Sequence, residues 1–276
     1  MSKFQDDRIN PDVIPILDEL PFWSAAFGLR LLEVVRCKRN MKALDIGCGL
    51  GFPMLELSMR LGNSSKVFGI DPSRAAIERL RQKIGKYKMA NVEAIEGFAE
   101  KMPFERNYFD LIVSNNGINN VNDIEQTFSE CRRVSKSGAQ FAFTFNTDRT
   151  FSEFYDVYHG VLSECGLKEC QKKLSEHIYS KRRPVSEFKE QLKKHGFRKI
   201  SVHNNAFRYR FVDATSMFNH FFIKLAFMPS WKAIIPRDRQ QEVFHKIEMK
   251  LNSTAKKSGC LTMQVPFVTI DCEVEK

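Results

Sequence analysis

The glycine-rich segment at residues 45–51, with the sequence DIGCGLG, constrains the fold of this chain more than any other feature. An apolar run at residues 41–46 leads into it, and a segment with helical spacing at residues 53–61 follows. Glycines allow a tight turn and a close approach of the backbone to a ligand, and the start of a helix favours an anionic group. A dinucleotide fingerprint, G-x-G-x-x-G, would need glycine at position 52, where Phe52 stands. The pattern is instead acid-x-G-x-G-x-G, placed between a buried strand and a helix.

A second acidic residue stands at the spacing that a ribose-binding site needs. Asp71 follows Gly51 by twenty residues and ends the next apolar run. A carboxylate in that place can accept hydrogen bonds from both hydroxyls of a ribose. Because the loop, its leading acid and this second acid occur in register, we favour a ribose-containing ligand over a structural turn with a chance acid.

Strand and helix patterns alternate through the first half of the chain. This rhythm is typical of βαβ units, which form a parallel sheet with helices on both faces. The predicted strands lie at residues 41–46, 66–70, 91–95, 110–114 and 140–145, and the predicted helices at 53–61, 73–85 and about 122–134.

The pattern changes after residue 146. Two or three helices are expected between residues 151 and 195, with Pro184 starting the last, and strands at 198–203 and 263–272. Helical segments near 213–228 and 236–257 form a cap inserted before the final strand. We predict one domain over residues 1–276, made of an N-terminal helical lid (1–40), a cofactor-binding core (41–146) and a substrate half (147–276) with a helical insert at about 206–258.

Composition narrows the class of protein. The 276 residues are 43% hydrophobic and 28% charged, which excludes wholesale disorder. Seven cysteines without a C-x-x-C pair indicate neither a disulfide scaffold nor a zinc ribbon. The first twelve residues lack the pattern of a signal peptide, and the longest apolar stretch, at 218–228, is too short to span a bilayer. A reduced, cytoplasmic protein is the expectation.

The net charge of +10 is unevenly distributed. Residues 147–276 carry 23 Lys and Arg against 15 Asp and Glu. A basic half can attract nucleic acid, anionic lipid or an acidic metabolite, or it can simply keep the surface soluble. The basic run at residues 181–183 (KRR) is open to the same two interpretations, a solvated entry to a helix or a contact with phosphate.

Five segments resemble, in order, those of the class I S-adenosylmethionine-dependent methyltransferases: LDIGCGLG, VFGIDPS, GFAEKMPF, FDLIVSNN and RRVSKSGAQFAFT. They are most similar to the small-molecule branch that includes quinone- and sterol-methylating enzymes. The resemblance covers residues 41–146, and more loosely residues 18–35 and the last two strands. It implies a Rossmann-like, seven-stranded, mostly parallel sheet whose final strand is antiparallel, and S-adenosyl-L-methionine as the cofactor.

The resemblance also assigns cofactor-binding residues. The family often has Asp at the second position of GFAEKMPF, where this chain has Phe98. Adenine recognition is therefore left to stacking by this ring and to the residues that follow it. The full implied set comprises Asp45, Gly47, Cys48, Gly49 and Gly51 in the loop, with Cys48 as a small apolar filler, Asp71 for the ribose, Pro72, Phe98, Ala99 and Glu100 around the adenine, and Ser114 and Asn115 near the sulfonium.

The stretch SNNGINN at residues 114–120 supplies candidate acceptor-binding residues. Asn116, Asn119 and Asn120 either orient a polar acceptor or form a turn, because Asn tolerates left-handed backbone. The stretch does not match the N-P-P-aromatic signature of nucleobase amino methylation. Trp23 either covers the cofactor, with its ring facing the positive sulfur, or packs in the core.

Methyl transfer from a sulfonium is an in-line displacement, in which the protein mainly aligns the reactants. A base is required only when the acceptor holds a proton that is costly to remove, and the candidates are His159, His220 and Tyr155. The remaining histidines have no carboxylate or cysteine at ligand spacing, so no metal is proposed. We expect methylation of a small molecule, with no recognisable RNA-binding module in the chain. An RNA or protein methyltransferase and a non-catalytic, cofactor-binding regulatory protein are the alternatives.

Overall fold

The computed structural model of the protein describes Asp18 and residues 22–276. Its strands form one seven-stranded sheet in the order β3-β2-β1-β4-β5-β7-β6. The pairs β1–β2, β1–β4, β2–β3 and β4–β5 are parallel. The strands are β1 Lys42–Ile46, β2 Lys66–Asp71, β3 Val92–Glu96, β4 Phe109–Asn115, β5 Ser135–Asn146, β6 Phe197–Phe211 and β7 Leu261–Val274.

The last strand runs opposite to both of its neighbours. Thr147, just after β5, donates a backbone hydrogen bond to Pro266, whereas the Cys272 thiol donates to the carbonyl oxygen of Phe141 further back in β5. At the edge of the sheet, Glu275 donates to the carbonyl of Gly196, which precedes β6. The predicted Rossmann-like sheet, mostly parallel with an antiparallel final strand, is therefore confirmed.

Side chains of the local sequence cap the starts of two helices. Ser73 accepts a hydrogen bond from the backbone N–H of Ala76, and Asp123 accepts one from that of Gln126, so both residues act as N-caps. The helices are α1 Phe22–Val34, α2 Met54–Leu61, α3 Arg74–Lys86, α4 Ile124–Val134, α5 Ser152–Glu164, α6 Lys168–Lys181, α7 Val185–Lys194, α8 Ala214–Asn219, α9 Phe221–Ala226, α10 Met228–Ala233 and α11 Gln240–Ser258.

Three predicted boundaries are wrong. Strand β6 continues to Phe211 rather than ending at His203, and the first helix after it begins at Ala214. Its second half exposes alternate residues more fully, which is the pattern of an edge strand with one covered face. Strand β5 begins at Ser135 rather than at residue 140, and α3 continues past Gly85 to Lys86.

Alternate residues of the sheet face different helices. Leu44 and Phe68 belong to one buried cluster with Phe128 of α4 and Phe188 of α7. Their neighbours on the opposite face belong to a second cluster with residues of α1, α2 and α3. Because successive side chains of a strand point to opposite faces, these two clusters place helices on both sides of the sheet.

The chain divides into two compact units. The core unit comprises residues up to Phe145, Val185–Asn205 and Phe267–Lys276, and the helical unit comprises Asn146–Pro184 and Ala206–Pro266. In the helical unit the rings of Phe154 and Trp231 stack with centroids 4.0 Å apart, and both are fully buried. Within the described part of the chain, every helix is too short or too polar to cross a membrane.

Candidate functional site

The glycine loop between β1 and α2 has a backbone that glycine makes possible. Gly47, Gly49 and Gly51 have φ angles of 71°, 49° and 103°, which lie in the region that other residues rarely adopt. A Cβ atom on Gly51 would lie 2.5 Å from Cδ1 of Leu80. The loop therefore needs glycine at position 51 for both conformation and space.

The second acid lies against this loop. Oδ2 of Asp71 accepts a hydrogen bond of 2.9 Å from the backbone N–H of Gly49, and Oδ1 accepts one of 2.9 Å from the N–H of Ser73. These two hydrogen bonds orient the carboxylate against the loop. The structure thus brings together, within the core unit, the predicted glycine loop and Asp71, the residue predicted to bind a ribose.

Asp45 is a buried acid whose carboxylate is not paired within the described part of the chain. Its side chain is fully buried, and neither carboxylate oxygen has a hydrogen-bond partner there. Burial raises the pKa of Asp45 well above its usual range, and the charge of Asp71 raises it further. The backbone amide of Met54 acts in the opposite direction, although its approach to the carboxyl does not meet the geometry of a hydrogen bond. An unpaired carboxyl group beside a glycine loop suits a cationic ligand group, such as the ammonium of an amino acid. This observation fits the cofactor that the sequence implies.

Cys48 fills space in the loop. Burial raises the pKa of its thiol well above the usual value, so the group stays protonated near neutral pH. A Cβ on Gly69 of β2 would lie 2.7 Å from its sulfur, so the thiol packs tightly against that strand. This placement agrees with a small apolar filler.

The residues predicted around the adenine differ in exposure. Pro72 is exposed, half of the Phe98 side chain is exposed, and Ala99 is buried. The carboxylate of Glu100 accepts hydrogen bonds from the backbone N–H groups of Asn122, at 2.7 Å, and Asp123. The Glu100 carboxylate thus serves the start of α4, whereas the ring of Phe98 has an open side for stacking.

Ser114 and Asn115, at the end of β4, connect neighbouring elements. The buried hydroxyl of Ser114 donates a 2.7 Å hydrogen bond to the carbonyl of Ile46 in β1. The amide of Asn115 donates to the carbonyl of Ser24 in α1 and accepts from the Thr144 hydroxyl in β5. Their side chains therefore fix the geometry at the carboxyl end of the sheet.

Gly28 is a residue of this site that sequence reasoning missed. It lies in α1, where an added Cβ would be 2.2 Å from Cε1 of Phe52 and 3.1 Å from Nδ2 of Asn115. The absence of a side chain lets α1 approach both the glycine loop and β4. A glycine inside an otherwise apolar helix was the available signal, because it costs helix stability unless close packing requires it.

The three asparagines after β4 contact one another. Asn116 has a left-handed φ of 61°, its Oδ1 accepts from Nδ2 of Asn119 at 2.9 Å, and its carbonyl accepts from Nδ2 of Asn120 at 3.1 Å. This arrangement is the asparagine-rich turn that the sequence offered as one alternative. It also places two carboxamides side by side, as the acceptor-binding alternative needs.

Trp23 lies in the first turn of α1. Its ring is 5.3 Å from the ring of Phe27, which in turn is 4.5 Å from that of Phe267. Half-burial leaves part of the indole accessible, so both predicted roles fit this position. The first part of the predicted lid, residues 1–17 and 19–21, lies outside the described residues.

The three proton-acceptor candidates lie in the helical unit, each with its own partners. The buried Tyr155 hydroxyl accepts a 2.9 Å hydrogen bond from Nε1 of Trp231. His159 pairs through Nδ1 with the Gln171 amide at 3.2 Å. The His220 ring packs against two aromatic rings of β6, and its buried Nδ1 has no hydrogen-bond partner among the described residues. Burial lowers the pKa of His220, so its imidazole is neutral near pH 7.

The glycine loop, the acid at the end of β2 and the strand order together define a class I methyltransferase fold. A family model described as a methyltransferase domain matches residues 37–183. The chain belongs to this methyltransferase family, which confirms the resemblance found in the sequence.

Two curated relatives are similar to about half of the chain. Demethylmenaquinone methyltransferase of Staphylococcus aureus is 33% identical over 129 residues, covering 47% of this chain and 53% of the relative. The chain therefore spans about half the length of that relative. The 2-phytyl-1,4-naphtoquinone methyltransferase of Trichormus variabilis is 30% identical over 171 residues, covering 57% of this chain and 75% of the relative.

Two solved structures share the fold. The YcgJ protein from Bacillus subtilis has a TM-score of 0.60 at 16% identity and covers 91% of this chain and 98% of its own. Phosphoethanolamine N-methyltransferase 2 from Haemonchus contortus has a TM-score of 0.61 at 18% identity, covering 99% of this chain and 59% of its own. At these identities the likeness concerns the fold alone.

Proposed function

We propose that the protein is an S-adenosylmethionine-dependent methyltransferase that methylates a small-molecule acceptor by in-line displacement. The observation that carries this proposal is the loop itself: an unpaired, buried Asp45 stands before three left-handed glycines, and Asp71 is bonded to the middle one. When bound, S-adenosylmethionine supplies a methyl group on a positively charged sulfur. Asp45 and the backbone of Gly47 and Gly49 would hold its amino-acid part, and Asp71 its ribose.

Residues around the loop would bind the cofactor and orient it for transfer. Two backbone N–H groups orient the carboxylate of Asp71 before any ligand binds. Little conformational freedom is therefore lost when this side chain binds a sugar. The ring of Phe98 offers an exposed face to a base, and its neighbour Ala99 offers backbone groups. Pre-organised groups of this kind provide the proximity on which methyl transfer mainly depends.

His220 is the best supported of the three proton-acceptor candidates. Its Nδ1 is buried and unpaired within the described chain, and its imidazole is neutral near pH 7. The Tyr155 hydroxyl and the Nδ1 atom of His159 already have side-chain partners. We propose that His220 accepts a proton where the acceptor is a phenol, an enol or a carbon acid.

The names of the two curated relatives support an acceptor with an apolar, aromatic body. One acts on demethylmenaquinone and the other on a phytyl naphthoquinone, by their names. We propose an acceptor of the same chemical class, with Trp23 and the carboxamides of Asn116, Asn119 and Asn120 contacting it. A single methyltransferase domain and a cytoplasmic location stay predictions, the latter supported by seven free cysteines.

A labelling experiment tests the proposal. Purified protein is incubated with methyl-labelled S-adenosylmethionine and either a demethylated naphthoquinone or a cell metabolite extract. We expect label in a small, organic-soluble product with the wild type, and much less with Asp71→Ala. Label found only in RNA or protein would favour the alternative substrates. Cofactor binding without turnover on any fraction would favour a regulatory protein, and no cofactor binding at all would contradict the proposal.

A further inference from the structure

Arg182 is a buried cation that no anionic group of the described chain neutralises. It follows the last residue of α6 in the helical unit, and only 4% of its surface is exposed. Its Nε and Nη1 atoms are buried and have no hydrogen-bond partner among the described residues. The neighbouring Arg183, by contrast, is exposed.

The position of the guanidinium is fixed by packing. The backbone N–H of Arg182 donates to the carbonyls of Ile178, at 3.0 Å, and Tyr179, at 3.2 Å, which anchors the residue at the end of α6. Its guanidinium carbon lies 5.2 Å from the ring centroid of Tyr155. That ring is itself held by the hydrogen bond from Trp231. The cation therefore rests on an aromatic face that is rigidly placed.

The contacts that Arg182 makes with the described residues do not compensate its positive charge. A guanidinium stays protonated at any physiological pH, so burial cannot neutralise it. One cation–π contact and the dipole at the end of a helix each return less than the burial of an unpaired ion costs. Charged side chains are almost never fully buried unless they are paired.

The titratable neighbours do not supply an anion either. Burial, followed by the charges of Arg182 and Lys181, lowers the pKa of His177 to about 4, so its imidazole is neutral near pH 7. Lys181 and Arg183 carry the same sign as Arg182. These three neighbours therefore leave the charge of Arg182 uncompensated.

We propose that Arg182 is the anchor of an oxyanion-binding site in the helical unit, which takes the carboxylate or phosphate group of a small molecule. The planar guanidinium presents parallel N–H groups whose geometry matches two oxygens of such an anion. Of the two interpretations of the basic run at 181–183, the phosphate-type contact applies to its buried middle residue. This site does not depend on methyl transfer.

Titration with simple anions tests the site without any cofactor. Inorganic phosphate and acetate are titrated separately into the full-length protein at constant ionic strength, with chloride as the balancing ion, and binding is followed by calorimetry and thermal unfolding. We expect saturable binding of at least one anion, and the stronger one identifies the group that the site takes. Arg182→Gln should weaken that binding about 10- to 150-fold, the range for hydrogen bonds to a charged group. Arg183→Gln is the matched control and should bind like the wild type.

A second variant of Arg182 tests the same site. Should Arg182→Gln fail to fold, Arg182→Lys retains the charge but not the planar pair of donors, and we expect it to bind at least several-fold more weakly. Equal anion affinity in wild type and a folded Arg182 variant would overturn the proposal. So would the absence of saturable binding of both anions to the wild type, whatever the variants do.

Discussion

The backbone N–H of Gly49 donates a 2.9 Å hydrogen bond to the carboxylate of Asp71, twenty-two residues further along the chain. Parallel pairing makes this contact possible, because Ile46 at the end of β1 lies opposite Ile70 near the end of β2. The loop after the first strand and the acid that ends the second therefore form one structural element at the carboxyl end of the sheet.

Asp71→Ala should weaken the binding of S-adenosylmethionine. Loss of a hydrogen bond to a charged group costs about 1.5–3 kcal/mol, which corresponds to about 10- to 150-fold in the dissociation constant. Isothermal calorimetry measures the change. The matched control is Glu96→Ala, since Glu96 is exposed and lies opposite Asp71 on β3. Unchanged affinity in the Asp71 variant would contradict its assignment to the ribose.

In the absence of cofactor, the stability of Asp45→Asn relative to the wild type should increase as the pH rises. The pKa of Asp45 is raised on folding, so between its ordinary value near 4 and the raised value the folded state holds more protons than the unfolded chain. The wild-type free energy of unfolding therefore falls with rising pH in that window, by at most about 1.4 kcal/mol per pH unit. Asparagine cannot ionise, so the variant lacks this fall.

Thermal unfolding of wild type and Asp45→Asn from pH 4 to 8 measures the difference. The gap in unfolding temperature should widen in favour of the variant as pH increases. The same variant should bind S-adenosylmethionine more weakly, because asparagine cannot ionise to pair with the ligand's ammonium as the proposed role of Asp45 requires. A variant that is less stable than wild type at every pH would show that Asp45 has a stabilising partner.

Gly51→Ala should destabilise the protein more than Gly49→Ala. Gly51 combines a φ of 103° with a Cβ position 2.5 Å from Leu80, whereas a Cβ on Gly49 would meet no atom within 4 Å. A strained backbone costs about 1–3 kcal/mol and overpacking adds about 1–3 kcal/mol. We expect the free energy of unfolding of Gly51→Ala, measured by denaturant titration, to be at least about 1 kcal/mol lower than that of Gly49→Ala. Equal stability of the two variants would disprove the packing argument.

Asn119→Ala should impair use of the acceptor and spare the cofactor. Asn119 donates to Oδ1 of Asn116, so its removal frees the neighbouring carboxamide. A neutral hydrogen bond contributes about 0.5–1.5 kcal/mol, so KM for the acceptor should rise about 2- to 13-fold. Steady-state kinetics with the acceptor found by labelling measures the change, with the exposed Asn122→Ala as control. If both the KM for the acceptor and the cofactor affinity stay the same, the orienting role is wrong.

His220→Gln and Tyr155→Phe should separate a proton acceptor from a structural residue. For a protic acceptor, His220→Gln should lower kcat with unchanged cofactor affinity. Tyr155→Phe leaves the buried Nε1 of Trp231 without its acceptor, so it should cost about 1–3 kcal/mol of stability and retain kcat. Rapid kinetics and thermal unfolding of both variants give the comparison. A loss of kcat in the tyrosine variant alone would assign the proton transfer to Tyr155.

Much of the core unit could be predicted from local sequence. The strands β1 to β4, the glycine turn and the starts of α3 and α4 depend on neighbouring residues, and each lies within a few positions of its prediction. The long edge strand β6 was predicted too short, because the half-polar alternation of its second half resembles that of a surface loop.

The side-chain partners of the site residues could not be predicted in this way. Glu100 follows the motif expected near the adenine, yet its carboxylate binds the start of α4, which lies more than twenty residues further on. The close approach of Gly28 to Phe52 likewise depends on the docking of α1 onto the loop. Such contacts join segments that are distant in sequence, so periodicity and motif spacing carry no signal for them.

The sequence by itself determined the strand–loop–helix order, the glycine turn and the spacing of its two acids, because these follow from backbone preferences and repeat periods. Only the tertiary structure decided that Asp45 and Arg182 are buried without partners in the described chain, while Asp71 is held by two amides. The physical reason is that burial and pairing depend on every atom packed around a group, whereas a motif specifies only the residues beside it.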